Sequence, residues 1–167
     1  MAEGDLKFSS AEVDLHLHAT EEGGKVLQSI QDVLSVPSER FSSSPSVGHY
    51  KNKILLLKAM LSSREARELA VRIMSLLNSS DRDRLSSSLP EYSDEKGNLY
   101  LRLNKQRICQ GNVSLSETDA IRVRFRPVKR YRPSGNLESY RGLLSSIEWI
   151  FASAATSTLR GQQKCFL

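Results

Sequence analysis

Three arginines, Arg122, Arg124 and Arg126, alternate with Ile121, Val123 and Phe125 in the segment DAIRVRFRPVKR. On a strand, successive side chains of one face stand roughly 6.6 Å apart, within a Debye length of about 8 Å at physiological salt. Such a row repels itself unless anions or neighbouring acids offset it. Polyanionic phosphate is a natural partner, because each neutralised phosphate releases condensed counterions. Two further segments alternate in the same way. In NLYLRLNKQ, Tyr100, Arg102 and Asn104 interleave with Leu99, Leu101 and Leu103, and in AEVDLHLHA, His16 and His18 interleave with Leu15 and Leu17. If the aliphatic rows share a core, the polar rows share the opposite face. Tyr100, His16 and His18 would then stack on or hydrogen-bond to bases, as in open-sheet RNA modules. Lys105, Arg107, Lys129, Arg130 and Arg132 extend the basic track past the strand ends. A second reading of the same row is an edge strand guarded by charge against aggregation, with Glu12 and Asp14 as counter-charges.

The pair His16 and His18 also suits the start of a metal site. Such sites take further histidine and carboxylate ligands from later strands, whereas only His49 remains, in a loop beside Gly48. No catalytic or metal residue is therefore assigned, and no cofactor is implied. Neither GxxxxGK[ST] nor GxGxxG occurs, and there is no GxSxG elbow. Cys109 and Cys165 are far apart and make neither a disulfide framework nor a CxxC knuckle. A metal-dependent hydrolase or nuclease is the minor alternative, resting on His16, His18 and His49.

The elements that must position these residues follow from periodicity. Alternation from Ala11 predicts a first strand. Thr20 is a candidate N-cap with Glu21 and Glu22 in the first turn, and Val26, Leu27, Ile30, Val33 and Leu34 predict a helix that stops before Pro37. The serine-rich stretch Ser38–Val47 reads as a loop or ragged edge. Ile54–Leu61, apolar on both rows except for Lys58, reads as a well-buried central strand. Ser62 and Glu65 form a capping-box pattern before a helix marked by Ala66, Leu69, Ala70, Ile73, Leu76 and Leu77. Ser80 would cap a short helix ending at Pro90. After the turn at Asp94, Gly97 and Asn98 come the two arginine-bearing strands, joined by a connector through Cys109 and Gly111. A last helix in NLESYRGLLSSIEWIF places Tyr140, Leu144, Ile147 and Phe151 on one side. The expected architecture is an α/β (α+β) two-layer sandwich: a mostly antiparallel sheet of about four strands with helices on one face.

Composition agrees with a globular domain. The chain has 167 residues, of which 39% are hydrophobic and 26% charged, with only 9 Gly and 5 Pro, which excludes wholesale disorder and collagen-like structure. Lysine and arginine number 24 against 19 acids, a net charge of +5. That modest excess points to nucleic acid only if it gathers on one face. The opening residues MAEGDLKFSS lack the basic and apolar runs of a secretory signal, and no stretch reaches the ~20 apolar residues of a membrane span. A cytoplasmic location without membrane contact is the expectation. The domain organisation expected is a leader over 1–10, one domain over 11–151 and a tail over 152–167.

The segments HATEEGGKVLQSI, GHYKNKILLLKAML, DEKGNLYLRLNKQ and DAIRVRFRPVK, in this order and spacing between about Glu12 and Leu144, resemble a family of archaeal RNA-binding proteins also described as predicted exosome subunits. The most specific pieces are Gly48-His49, Asn52 and Ile54, then Gly97-Asn98-Leu99-Tyr100-Leu101-Arg102-Leu103 with Lys105-Gln106. Lys51 and Lys53 stand where the family is expected to carry Gly and Pro. The resemblance implies a compact domain related to the fold of a large-subunit ribosomal protein. It also implies RNA as partner and an association with the exosome or other RNA-processing proteins. It brings no established catalytic residue. The functional expectation is a non-catalytic RNA-binding protein, with an adaptor subunit of an RNA-processing complex as the alternative.

Overall fold

The computed structural model describes residues 7–128 and 135–147. Strand β1 (Phe8–His18) and helix α1 (Gly23–Leu34) are followed by strands β2 (Phe41–Val47) and β3 (Lys53–Leu61). Helices α2 (Ser63–Leu76) and α3 (Ser79–Ser87) lead to strand β4 (Leu99–Asn104), the short helix α4 (Lys105–Cys109) and strand β5 (Ala120–Pro127). A final helix, α5, runs through residues 135–147. The five strands form one antiparallel sheet in the order β2-β3-β1-β5-β4.

Period-2 alternation decides which residues see the core. Val13, Leu15 and Leu17 of β1, Leu101 and Leu103 of β4, and Ile121, Val123 and Phe125 of β5 are buried. They join one cluster with Ile30 and Leu34 of α1, Leu69 and Ile73 of α2, and Tyr140, Leu144 and Ile147 of α5. Tyr140 stacks on Phe8 with ring centroids 6.3 Å apart, and its hydroxyl donates to the Gly97 carbonyl at 2.7 Å. Gly97 turns with φ 78°, a left-handed conformation that glycine adopts without the Cβ penalty. The opposite rows of the strands are open, except at the β4 end, where Arg84 of α3 and the 3₁₀ turn Leu89–Tyr92 reach over the face.

Local signals worked unevenly. The capping box at the start of α2 is formed as expected: Glu65 Oε2 accepts from the Ser62 backbone N–H at 2.8 Å, and the Ser62 side chain accepts from the N3 backbone. Asn78, rather than Ser80, caps α3, its Oδ1 accepting from the Asp81 N–H at 2.8 Å. Helix α1 begins at Gly23 with Glu22 as N-cap, so Thr20 and Glu21 lie before it. Glu21 is drawn away because its carboxylate accepts from the His18 N–H and from Lys105. At its other end, Arg72 of α2 donates Nε to the Val33 carbonyl at 2.6 Å, placing a cation where the helix dipole is negative.

Three further expectations are corrected. Residues 8–10, expected in a leader, open strand β1, and Phe8 is buried in the core. The serine-rich Ser38–Val47 is not a loop: it begins with a 3₁₀ turn (Ser38–Arg40) and continues as the edge strand β2, paired along its whole length with β3. Pairing overrides its poor strand propensity, and Pro45 is tolerated because the strand lies at an edge. β3 is also less buried than its apolar run suggests. Leu57, Ala59 and Leu61 are buried, but Met60 and Leu55 are exposed, because the helices cover only one face and only part of the strand's length. Phe151, Trp149 and the tail over 152–167 lie outside the described residues.

Candidate nucleic-acid interface

Register brings the polar rows together. Arg122 and Arg124 of β5 stand directly opposite Asp14 and Glu12 of β1 on one side, and opposite Arg102 and Tyr100 of β4 on the other. Lys58 of β3 stands opposite Asp14 from the far side of β1. The open face therefore carries the cations Lys58, Arg102, Arg122, Arg124 and Arg126 against the carboxylates Glu12 and Asp14. The arginine row lies on an interior strand, so it does not guard an edge.

The carboxylates organise this face. Arg122 makes a bidentate pair with Asp14, Nε to Oδ1 at 3.1 Å and Nη2 to Oδ2 at 2.6 Å. Glu12 receives Arg124 Nη2 at 2.8 Å, Arg126 Nη2 at 3.4 Å and Lys58 Nζ at 3.0 Å. Partial burial pushes the Glu12 carboxyl up, but hydrogen bonds and charge from Lys58 and Arg124 outweigh it and hold the group below the ordinary 4.5. The counter-charges Glu12 and Asp14 are thus real mates of the row. They fix the guanidinium groups without hiding them: the side chains of Arg122 and Arg126 keep 47% and 41% of their surface exposed. Arg102 is exposed beside them, and no carboxylate pairs with it among the described residues.

The remaining candidates divide. Tyr100 is on the open face, and its hydroxyl donates to Asp94 Oδ2 at 2.9 Å. His16 is exposed on the same face, and the His18 Nε2 lies 3.7 Å from Asp119 Oδ1. Together with Ile54, Arg102 and Arg122 they border a shallow cavity of about 390 Å³. Among the described residues no group of three His, Cys, Asp or Glu is arranged to hold a metal ion. His49 packs edge-on against Tyr50 in the exposed β2–β3 turn.

Lys105 does not extend the track. Its side chain is 1% exposed, and its ammonium donates to Glu21 Oε2 at 2.9 Å and to the His16 carbonyl at 2.9 Å, and pairs with Asp119 Oδ1 at 2.6 Å. Burial pulls this ammonium down, and the bonds to Asp119 and Glu21 more than restore it, leaving it above the ordinary lysine value. Lys105 is a buried clasp joining β1, the approach to α1, α4 and the turn before β5. Arg107 is exposed but sits on α4 and borders a groove with Asn78 and Asp81 at the start of α3, away from the sheet face. Lys129 and Arg130, like Arg132, lie outside the described residues.

Pattern reading missed several neighbours. Lys58 was visible as the one charge in an apolar run. Arg84 and Tyr92 left no such signal, because they reach the face from α3 and from the 3₁₀ turn Leu89–Tyr92. With Glu117 they rim a cavity of about 620 Å³ over β4 and β5, floored in part by Arg102, Arg122 and Arg124.

Fold and face together define a two-layer α+β domain with an open, arginine-rich antiparallel sheet. The chain belongs to the family whose model is described as RNA binding, which matches residues 10–126. It is 31% identical over 129 residues to the RNA-binding protein PAB1135 of Pyrococcus abyssi, covering 74% of this chain and 84% of that one. Among solved structures it is similar to protein AF2318 of Archaeoglobus fulgidus, at 28% identity and a TM-score of 0.70, covering 82% of this chain and 99% of that one. A DUF54 protein of Methanothermobacter thermautotrophicus, at 24% identity and a TM-score of 0.69 over 83% of this chain and 98% of that one, shares the fold. The RNA-binding family membership expected from the four sequence segments is thereby established, and the exosome association is not part of what these likenesses show. No helix among the described residues is long and apolar enough to cross a membrane.

Proposed function

We propose that the chain is a non-catalytic RNA-binding module that grips phosphate with the β4–β5 part of its open sheet face. The observation that carries this reading is the alignment of Arg102 with Arg122, and of Arg124 and Arg126 beside them, on the open face of the sheet. Membership of an RNA-binding family supports it. Glu12 and Asp14 hold the paired arginines in fixed orientation, so less side-chain freedom is lost when a phosphate oxygen arrives. Arg102, with no such mate, is the strongest single phosphate contact. Tyr100, His16 and His18 supply ring surfaces beside it. The setting is RNA processing in the cytoplasm, with the exosome as the candidate assembly.

Ultraviolet crosslinking of the purified protein to RNA, followed by mass spectrometry of the attached peptides, tests the surface. Crosslinks should fall in β4 and β5, at Tyr100 above all. Crosslinks confined to α1 and α2 would reject the sheet face. The acids on that face give one specific reason to weigh a second reading, an adaptor that docks on a protein of mixed charge. Partners retained from extract after nuclease treatment favour the adaptor, and partners lost with the RNA favour the first reading.

A further inference from the structure

The cavity above β4 and β5 differs from the rest of the open face, because it is walled. Its floor is sheet. One wall is the 3₁₀ turn Leu89–Tyr92, and another is the segment around Ser116 and Glu117. That second wall is pinned to the outer edge of β4: the Asn104 N–H donates to the Ser114 carbonyl at 2.9 Å and the Ser116 N–H to the Arg102 carbonyl at 2.9 Å. The volume of about 620 Å³ lies within the range of built small-ligand sites.

Its chemistry is mixed in a particular way. Tyr100 is 39% exposed and has its hydroxyl tied to Asp94, so its ring is held in place. Tyr92, half-buried, lines the same cavity beside the Ser93–Leu99 bridge. Arg102 contributes a cation with no carboxylate mate among the described residues. Arg124, held by Glu12 at 2.8 Å and interacting with the Tyr100 side chain, adds a second guanidinium to the floor. Arg84 holds Glu117 at 2.8 Å through Oε1, which leaves the second carboxylate oxygen to accept. Aromatic surface, a guanidinium without a carboxylate mate among the described residues and a preset acceptor together match one nucleotide: a base with hydrogen-bonding edges, a sugar and a phosphate.

We infer that this cavity takes a single unstacked nucleotide of an unpaired RNA segment, its base against Tyr100 and Tyr92 and its phosphate at Arg102. The inference rests on the RNA-binding reading above and deepens it: the flat arginine row holds backbone, and the walled end holds a base. A base locked in a duplex does not reach the cavity, so the ligand is a loop, a bulge or a single strand.

Equilibrium binding of the full chain to a single strand of about 12 nucleotides, and to the same sequence closed into a duplex, tests this. The single strand should bind on the order of tenfold more tightly. Tyr100→Leu should remove on the order of tenfold of that affinity, the low end for loss of one aromatic stacking partner, and weaken duplex binding far less. Tyr100→Phe keeps the ring but loses its tie to Asp94, and should retain most of the single-strand affinity that Tyr100→Leu removes. Duplex bound as tightly as single strand, or Tyr100→Leu weakening both alike, would overturn the nucleotide cavity while leaving backbone binding intact. Failure of both RNAs to bind would overturn the RNA-binding reading itself.

Discussion

At the scale of single residues, the account turns on Glu12 and Lys105, which hold charge in opposite settings. Glu12 gathers Lys58, Arg124 and Arg126. Glu12→Gln removes that mate and leaves the three cations facing one another. Chemical denaturation should report a loss of about 1 kcal/mol, kept small by the exposure of the partners. RNA affinity should fall in the same variant, because Arg124 and Arg126 lose the mate that fixes their orientation for phosphate. A variant that binds RNA as tightly as the parent, or more tightly, would contradict the role given to Glu12 as the group that orients these arginines. The pH dependence has a definite sign. A carboxyl held below its ordinary 4.5 in the fold contributes stability above that pH and loses it as pH falls through the folded value. The acid limb of stability should therefore be shallower in Glu12→Gln. Lys105 is the reverse case: its raised folded value means a contribution present below about pH 10.4 and lost as pH rises beyond it. Lys105→Met leaves Glu21 and Asp119 without their shared cation. Thermal melting should show a loss of about 3 kcal/mol, the lower end for breaking a buried pair, because Asp119 is itself part-exposed. RNA binding by the folded variant should persist, since Lys105 does not reach the open face.

At the scale of elements, legibility in the sequence followed the range of the interaction. The capping box at Ser62 and Glu65 is a contact over three residues, and it was readable. Ser62→Ala should cost about 1 kcal/mol in equilibrium unfolding, and no change would mean that α2 is held by packing alone. The polar row of β5 was equally plain, because alternation is local. That Arg122 meets Asp14, across 108 positions of chain, depends on register and was not readable, although Asp14 and Glu12 were both in view. Lys105 was misread for the same reason. It follows an arginine-bearing strand and looks like part of a basic track, but its burial is set by Glu21, distant in sequence, and by Asp119. β2 failed differently: its serines and Pro45 signal a loop, and only hydrogen bonding to β3 makes it a strand.

At the scale of the whole molecule, a net charge of +5 on 167 residues is unremarkable, and its placement is what matters. Antiparallel pairing puts β5 between β1 and β4, so acids flank the arginine row on one side and Arg102 and Tyr100 flank it on the other. The result is a face graded from ion-paired at β1 to uncompensated at β4. That gradient predicts where RNA is held, and the salt dependence of binding reads it most directly. Affinity for single-stranded RNA should fall linearly with salt on logarithmic axes, and Arg102→Ala should make the slope shallower by about 0.7, the release expected for one phosphate contact on a single strand. Equal slopes for the parent and for Arg102→Ala would contradict a phosphate grip at the uncompensated edge of this sheet.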